Sequence, residues 1–185
     1  WVGDADDVWF AEGLARSLAR ELLFAFGFIS SHEYATELTR LLAIRATSRH
    51  HAQSRQQLLA SARAGSGGRT LLIARGALFA TQLHRDMNKN KSGLHLLLRE
   101  LIGKRDKSGT MTLEAWHTAA SRHLPGPSPL AAKADFARWV DAGKGKLHDL
   151  GACFRVAATS FDVFGLGFDA KATLATKNAP TNPSG

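Results

Sequence analysis

The sequence predicts a mainly α-helical domain, a helical bundle of roughly five or six helices that ends in two short β-strands. Apolar residues recur at intervals of three and four in several segments, which is the period of a helix with one buried face. Helix-capping residues, glycines and prolines separate these segments. After Gly145 the pattern changes to short β-branched and aromatic runs, which are typical of strands. With 185 residues, 44% of them hydrophobic, the chain can form one domain with a core.

The first predicted helix extends from about Asp7 to Phe26. Asp6 and Asp7 stand where a helix N-terminus favours acids, and Gly27 provides a stop. The apolar residues that recur mostly at helical spacing are Val8, Phe10, Leu14, Leu18, Leu22 and Phe26.

The next two helices are separated by a region without clear periodicity. A Ser-x-x-Glu capping box, Ser30 to Glu33, opens the second helix, which continues through Ile44. The pattern blurs between Ser48 and Arg55, and residues 64–68 have the composition of a loop. A third helix is predicted from Thr70 to about Asp86.

Three more helices complete the predicted helical part. The fourth contains Leu94 to Leu101 and lies between polar turns. Thr112 can cap a fifth helix from Leu113 to about His123, and three prolines between residues 125 and 129 end it. The sixth helix extends from about Ala131 to Asp141.

Two strands are predicted after the helices, Leu150–Ala158 and Ser160–Phe168, which could form a hairpin. We therefore divide the chain into a helical lobe at residues 1–145, a hairpin-like extension at 146–170 and a loose tail at 171–185.

The distribution of charged and apolar residues indicates which classes of partner to expect. The net charge is 24 − 16 = +8, but the basic residues are scattered without a run of five like charges. A nucleic-acid site requires clustered cations, so this pattern favours solvated helix faces, and we expect no nucleic-acid partner. No segment approaches the roughly 18 apolar residues of a membrane-spanning helix. The chain begins with Trp1 and not with Met, which suggests a fragment, and the compartment therefore stays open.

Few side chains could form a self-contained reactive site. The single cysteine, Cys153, excludes an intrachain disulfide and is interpreted as a small buried hydrophobe. His50 and His51 are adjacent, so on a helix they point about 100° apart and form a poor metal-binding pair. The sequence contains no His-Glu-x-x-His segment and no Cys-x-x-Cys pair. This chain alone is not expected to hold zinc.

Glu12 is the one carboxylate whose context favours a specific role. It follows Trp9 and Phe10 and precedes Gly13, inside the first predicted helix. Glycine inside a helix costs about 1 kcal/mol relative to alanine, and it is tolerated where another group must approach the backbone closely. A helix-start carboxylate can also simply stabilise the helix dipole.

A family resemblance begins at this carboxylate. Trp9–Ala15, WFAEGLA, resembles the W-x-x-E-G segment of gluzincin zinc peptidases, most of all the glycyl-aminopeptidase type with a PDZ module after its catalytic domain. Further segments resemble that family in the same order along the chain, from about Trp9 to Asp169. They are residues 27–34 (GFISSHEY), 73–78 (IARGAL), 111–116 (MTLEAW), 135–140 (DFARWV) and 161–169 (FDVFGLGFD).

The resemblance implies a zinc peptidase from which one part is missing. In the family, a His-Glu-x-x-His helix supplies two zinc ligands and the general base, and the glutamate of the E-G motif is the third ligand. That glutamate corresponds to Glu12, so the chain resembles the C-terminal helical lobe of a thermolysin-like catalytic domain leading towards a PDZ-like module. Zinc and peptide substrates are then expected in the intact parent protein, and no bound metal is expected in this chain alone.

One position departs from the family pattern. The family's Y-x-K-G-A-L segment has Ile73 in place of its tyrosine and Arg75 in place of its lysine. The tyrosine is thought to stabilise the developing oxyanion, whereas an isoleucine side chain donates no hydrogen bond. Loss of one such donor typically lowers the rate about 10²- to 10³-fold. Two alternatives therefore stay open beside the peptidase: a non-catalytic helical scaffold and a basic nucleic-acid binder. Exposed apolar surface could support a homodimer.

Overall fold

A computed structural model of the chain describes residues 8–65, 67–89, 93–103, 112–123, 129–146, 154–157 and 171–174. The mainly helical fold class is confirmed within these residues. The helical elements, in chain order, are π1 (Trp9–Leu14), α1 (Ala15–Ala25), α2 (Ser31–Thr47), α3 (Arg55–Arg63), α4 (Gly68–Lys89), α5 (Leu94–Gly103), α6 (Leu113–His123), α7 (Pro129–Phe136) and π2 (Ala137–Asp141).

The structure also describes two four-residue strands, β1 (Phe154–Ala157) and β2 (Lys171–Leu174). They pair antiparallel, with Phe154 opposite Leu174. β1 lies within the first predicted strand, whereas Ser160–Phe168 lies outside the described residues. β2 occupies the start of the range 171–185 that the sequence assigns to a loose tail. The hairpin-like ending stays a prediction.

Several helix ends follow the sequence signals. Ser30 and Glu33 form the predicted capping box, in which the Ser30 hydroxyl accepts from the Glu33 amide and the Glu33 carboxylate accepts from the Ser30 amide. The first helical segment ends before Gly27, which has a positive φ of 73°. The Thr112 hydroxyl accepts a hydrogen bond from the Ala115 amide at 3.1 Å and so caps α6.

Helix α3 is an element that the periodicity did not predict. Its only buried residues are the adjacent Leu58 and Leu59, so it has no recurring apolar stripe. A second capping box marks its start, because the Ser54 hydroxyl accepts from the Gln57 amide and the Gln57 side chain accepts from the Ser54 amide. This Ser-x-x-Gln signal is present in the sequence, and it identifies the helix where the apolar pattern does not.

Helix α4 lies at the centre, and an aromatic cluster packs beside it. Trp9 is in edge-on contact with Phe136 and Trp116, with ring centroids 4.8 and 5.4 Å away. Phe79 of α4 lies 6.2 Å from Phe136, and Phe10 lies 5.4 Å from Trp116. These edge-to-face pairs add to the free energy gained from apolar burial. The cluster thereby fixes π1, α6 and α7 around α4.

Apolar surface is exposed at the turn between α1 and α2. Phe26 and Phe28 are 73% and 77% exposed, and Leu22 and Leu23 on α1 are also exposed. The expected apolar surface is therefore present, and the homodimer it could support stays a prediction.

Candidate functional site

Glu12 lies at the surface, on the π-helical segment that precedes α1. Its carboxylate forms an ion pair with the Arg69 guanidinium in the first turn of α4. The two side chains are 40% and 60% exposed, respectively. Short π-helical segments are rare and occur often at functional sites. Glu12 is thus accessible from outside the described fold, while its backbone is held against α4.

The close approach expected at Gly13 is found. A Cβ atom at Gly13 would lie 2.9 Å from the Gly76 Cα atom and from the Ala77 amide nitrogen. On the other side of the contact, a Cβ atom at Gly76 would lie 2.0 Å from the Trp9 carbonyl oxygen. Both values are shorter than non-bonded contacts allow, so π1 and α4 can pack at this distance only with glycine at both positions.

Ile73 belongs to the same contact. Its carbonyl oxygen would lie 2.9 Å from a Cβ atom at Gly13, the residue after Glu12. Because Arg69, Ile73 and Gly76 are spaced at i, i+4 and i+7, they share the face of α4 that meets π1. The structure therefore brings together three positions of the resemblance, Gly13, Ile73 and Gly76, with Glu12 next to Gly13 in the chain. The Ile73 side chain is partly buried and packs against a small apolar cluster that includes Leu58.

Arg75 is not part of this surface, because its side chain is completely buried. One terminal nitrogen donates to the carbonyls of His51 and Gln53 at 2.8 and 2.9 Å. The other donates to the carbonyls of Val140 and Asp141, both at 3.3 Å. Burial lowers the pKa of Arg75 to about 10. This arginine joins the segment before α3 to the end of π2.

Tyr34, the only tyrosine, lies in a different polar cluster between α1 and α2. Its hydroxyl donates to the Glu21 carboxylate, and the buried Arg20 guanidinium lies 4.9 Å from its ring centroid. Arg20 also donates to the Thr81 hydroxyl of α4. Burial is the main cause that raises the pKa of Tyr34 above its usual value of 10.0. Tyr34 stabilises the helix packing and does not replace the tyrosine that is missing at Ile73.

Sequence reasoning missed the buried arginines Arg20 and Arg75. Their charge favoured a surface position, and the carbonyl partners of Arg75 are 22 to 66 residues away in the chain. A signal was available at Arg75, since it interrupts an otherwise apolar run from Leu71 to Phe79. Such an interruption indicates either a functional cation or a buried hydrogen-bonded one.

The histidines that the structure describes do not gather into a metal site. Within the described ranges, no three His, Cys, Asp or Glu side chains lie close enough to hold a metal ion together. His50 accepts a hydrogen bond from the Arg49 side chain at 3.1 Å. His117 is buried edge-on against Phe136, and burial lowers its pKa below the usual 6.5. Cys153 lies outside the described residues. Glu12 is thus a single candidate ligand and not a complete site.

Comparison with known proteins gives no family assignment. No protein-family model matches the chain, and no curated protein matches it. In the part of the chain that the structure describes, no helix is both long and apolar enough to cross a membrane.

Proposed function

We propose that this chain is the C-terminal helical lobe of a thermolysin-like catalytic domain, in a zinc-dependent aminopeptidase of the gluzincin type. Residues 1–145 form the lobe in this proposal, and residues 146–170 lead towards a PDZ-like module. The observation that carries it is the contact of π1 with α4. Gly13, the residue after Glu12, meets Ile73 and Gly76 there, so two motifs about sixty residues apart in the chain are packed against each other. This convergence supports a site that the two motifs build together.

The accessible carboxylate fits a role as a metal ligand. Carboxylate oxygens bind zinc, and a catalytic zinc site combines three protein ligands with one open position for water. Glu12 would be the third ligand beside two histidines of a His-Glu-x-x-His helix in the intact parent protein. Zinc, when bound, acidifies a water molecule and polarises the peptide carbonyl.

The present partner of Glu12 does not oppose this role. Exposed ion pairs contribute only about 0–1 kcal/mol, because water and salt screen them. Both side chains of the Glu12–Arg69 pair are substantially exposed, so the carboxylate can exchange this partner for another at small cost. Without a metal, Arg69 neutralises the Glu12 charge. With a metal, the long arginine side chain can turn into solvent.

Ile73 limits the rate of hydrolysis that this proposal allows. The Ile73 carbonyl oxygen lies against Gly13, the residue after Glu12, and the resemblance implies that a tyrosine at this position would reach the substrate carbonyl. Ile73 contributes only apolar contact, so the oxyanion of the tetrahedral intermediate gains no hydrogen bond from it. In this proposal Glu12 contributes one ligand to the zinc of the intact parent protein, and Ile73 does not supply the hydrogen-bond donor.

The test is hydrolysis of aminoacyl amide substrates by the intact parent protein. We expect slow, zinc-dependent hydrolysis that is lost in Glu12→Gln and retained in Glu114→Gln, a matched change of an exposed carboxylate on α6. Ile73→Tyr should increase kcat about 10²-fold if the hydroxyl reaches the oxyanion. Hydrolysis that is insensitive to Glu12→Gln would contradict the proposal.

The second candidate is a non-catalytic scaffold derived from such a peptidase. The apolar Ile73 at the tyrosine position is the observation that favours it. In this case the intact parent binds zinc through Glu12 but hydrolyses no aminoacyl substrate, either as wild type or as Ile73→Tyr.

A further inference from the structure

The turn between α1 and α2 carries an apolar tip, which consists of Leu22, Leu23, Phe26 and Phe28. These side chains are 56%, 44%, 73% and 77% exposed, respectively. Elsewhere in the part of the chain that the structure describes, the large apolar side chains that are exposed are Ile102 on α5 and Leu113 on α6. Contiguous apolar surface of this kind marks sites of contact with a protein or a membrane.

The outward face of α1 changes in character along the helix. Exposed residues recur there at intervals of three and four, which places them on one face, and they are Arg16, Ala19, Leu23 and Phe26. The face begins with a cation, continues with a small apolar residue and ends with two large ones. Polarity therefore falls along the helix axis towards the tip, just as it falls from the headgroups of a bilayer to its hydrocarbon core.

The tip itself contains no charged side chain. Residues 22–31 read LLFAFGFISS, without a lysine, an arginine or a carboxylate. The carboxylates on either side are both engaged inside the protein, since Glu21 accepts a hydrogen bond from the Tyr34 hydroxyl and Glu33 accepts one from the Ser30 amide. No charge therefore has to lose its water when the tip enters an apolar medium.

The backbone amides of the tip also have partners inside the protein. The five consecutive amides from Phe26 to Ser30 all donate hydrogen bonds. Four of them donate to carbonyls of α1 at 2.8–3.3 Å, in the Schellman arrangement that the positive φ of Gly27 permits. The fifth, from Ser30, donates to the Glu33 carboxylate at 2.7 Å. Because a backbone group without a partner is costly in lipid, this turn meets a requirement for insertion that a solvated loop does not.

We propose that the apolar tip inserts into the interface of a phospholipid bilayer with anionic headgroups. The rings of Phe26 and Phe28 would enter the boundary between headgroups and acyl chains, which amphipathic segments penetrate by about 5–10 Å. Arg16 precedes Phe26 by ten residues, or about 15 Å of helix, and would lie among the headgroup phosphates. The net charge of +8 attracts the chain to an anionic surface. This proposal does not depend on the peptidase assignment.

A second copy of the chain fits the tip less well. An aromatic side chain that becomes buried removes about 150–250 Å² from water, so two rings that are about three-quarters exposed offer roughly 200–400 Å². A stable interface buries about 800 Å² per partner, and the two half-exposed leucines add less than the rings. The tip alone is therefore too small for a stable dimer. Binding to a lipid interface grows with the inserted apolar area and has no such minimum.

The experiment is sedimentation of the 185-residue chain with vesicles of equal parts phosphatidylcholine and phosphatidylserine. We expect saturable binding that the double variant Phe26→Ser/Phe28→Ser weakens about 100-fold, since each inserted ring contributes roughly a factor of ten. Both side chains are exposed, so the fold should tolerate the change. Ile102→Ser/Leu113→Ser removes two exposed apolar side chains elsewhere and should leave binding unchanged. Absence of wild-type binding, or equal weakening by both double variants, would overturn the proposal.

The headgroup charge is tested with vesicles of phosphatidylcholine alone. The chain should bind them at least about tenfold more weakly, because the attraction of its net charge to anionic lipid is lost. Equal binding to the two kinds of vesicle would overturn the preference for an anionic surface.

Two further measurements separate insertion from self-association. Phe28→Trp and Ile102→Trp each add one indole at an exposed position, and the difference from wild-type emission reports on that indole. Only the indole at position 28 should shift its emission to shorter wavelength when the mixed vesicles are added. Ultracentrifugation without lipid should give the same monomer mass for the wild type and Phe26→Ser/Phe28→Ser. A dimer that this double variant abolishes would assign the tip to a second copy and overturn the proposal, as would an unshifted indole at position 28.

Discussion

The two π-helical segments, π1 and π2, both pack against α4, but they are held there by opposite means. At π1 the contact is backbone against backbone, with Gly13 facing Gly76. At π2 a long buried side chain bridges the gap, because Arg75 donates to the carbonyls of Val140 and Asp141. Gly76 and Arg75 are neighbours in the sequence, so one short stretch of α4 holds both segments.

The difference shows two ways of fixing a functional element. Glycine packing places the Glu12 backbone without placing any polar group in the core, and the carboxylate stays at the surface. The buried arginine donates to four backbone carbonyls in two separate segments and so joins those segments. We therefore expect the first contact to be sensitive to added volume and the second to the loss of hydrogen bonds.

Gly76→Ala should have the largest effect on stability. Its new methyl group would overlap the Trp9 carbonyl, so π1 must move away from α4 and expose part of the aromatic core. We expect the free energy of unfolding to fall by about 4 kcal/mol, measured by urea denaturation. Gly103→Ala is the control, because nothing lies near that position and alanine favours the helix. Equal stability of Gly76→Ala and the wild type would refute the close contact.

Arg75→Met should have the second-largest effect and lower the free energy of unfolding by about 3 kcal/mol. Methionine fills much of the space but leaves the carbonyls of His51, Gln53, Val140 and Asp141 without their donor. Arg99→Met, at an exposed position of α5, controls for the loss of charge and should change stability by less than about 0.5 kcal/mol. Hydrogen exchange of the segments that Arg75 joins should accelerate. Unchanged exchange there would mean that Arg75 does not hold them.

Tyr34→Phe extends the comparison to the polar cluster between α1 and α2. At neutral pH this substitution removes the hydrogen bond to Glu21 and should lower the free energy of unfolding by about 1.5 kcal/mol. Burial raises the pKa of Tyr34, so above pH 10.0 the unfolded chain loses this proton first and the wild type loses stability as the pH rises. Phenylalanine has no such proton, so the difference between variant and wild type should shrink above pH 10.0. A difference that is independent of pH would contradict the burial of this hydroxyl.

Glu12→Gln should have the smallest effect on the stability of the isolated chain, within about 0.5 kcal/mol, because it breaks only an exposed ion pair. Arg69→Gln should change the free energy of unfolding by a similarly small amount. The double variant should be no less stable than either single variant. A cost well above about 1 kcal/mol for Glu12→Gln would identify this carboxylate as a structural residue.

The sequence predicted those features that depend on local chemistry. The capping box at Ser30 and the stop at Gly27 involve neighbouring residues, and both are found. The close approach at Gly13 was also predicted, because a glycine inside a helix is costly and is tolerated where another backbone comes near. Its partner Gly76 and the ion pair with Arg69 were not predicted, since they depend on how α4 crosses π1.

The buried arginines and the close contacts of the Gly143–Lys146 segment could be found only from the fold itself. Nothing near Arg20 in the sequence indicates that Thr81, 61 residues away, would accept its hydrogen bond. The Gly-Lys-Gly-Lys segment has the composition of a flexible linker, yet its glycines are in close contact with Arg75 and Trp139. These contacts depend on packing between residues that are distant in the chain, and the periodicity and spacing of the sequence do not reveal that packing.

The most direct measurement is the zinc affinity of the intact parent protein by equilibrium dialysis, for the wild type, Glu12→Gln and Glu114→Gln. We expect one zinc per chain in the wild type, with a dissociation constant at least about tenfold higher in Glu12→Gln and unchanged in Glu114→Gln. Equal zinc affinity in all three proteins, or no bound zinc in the wild type, would contradict the assignment of Glu12 as a metal ligand.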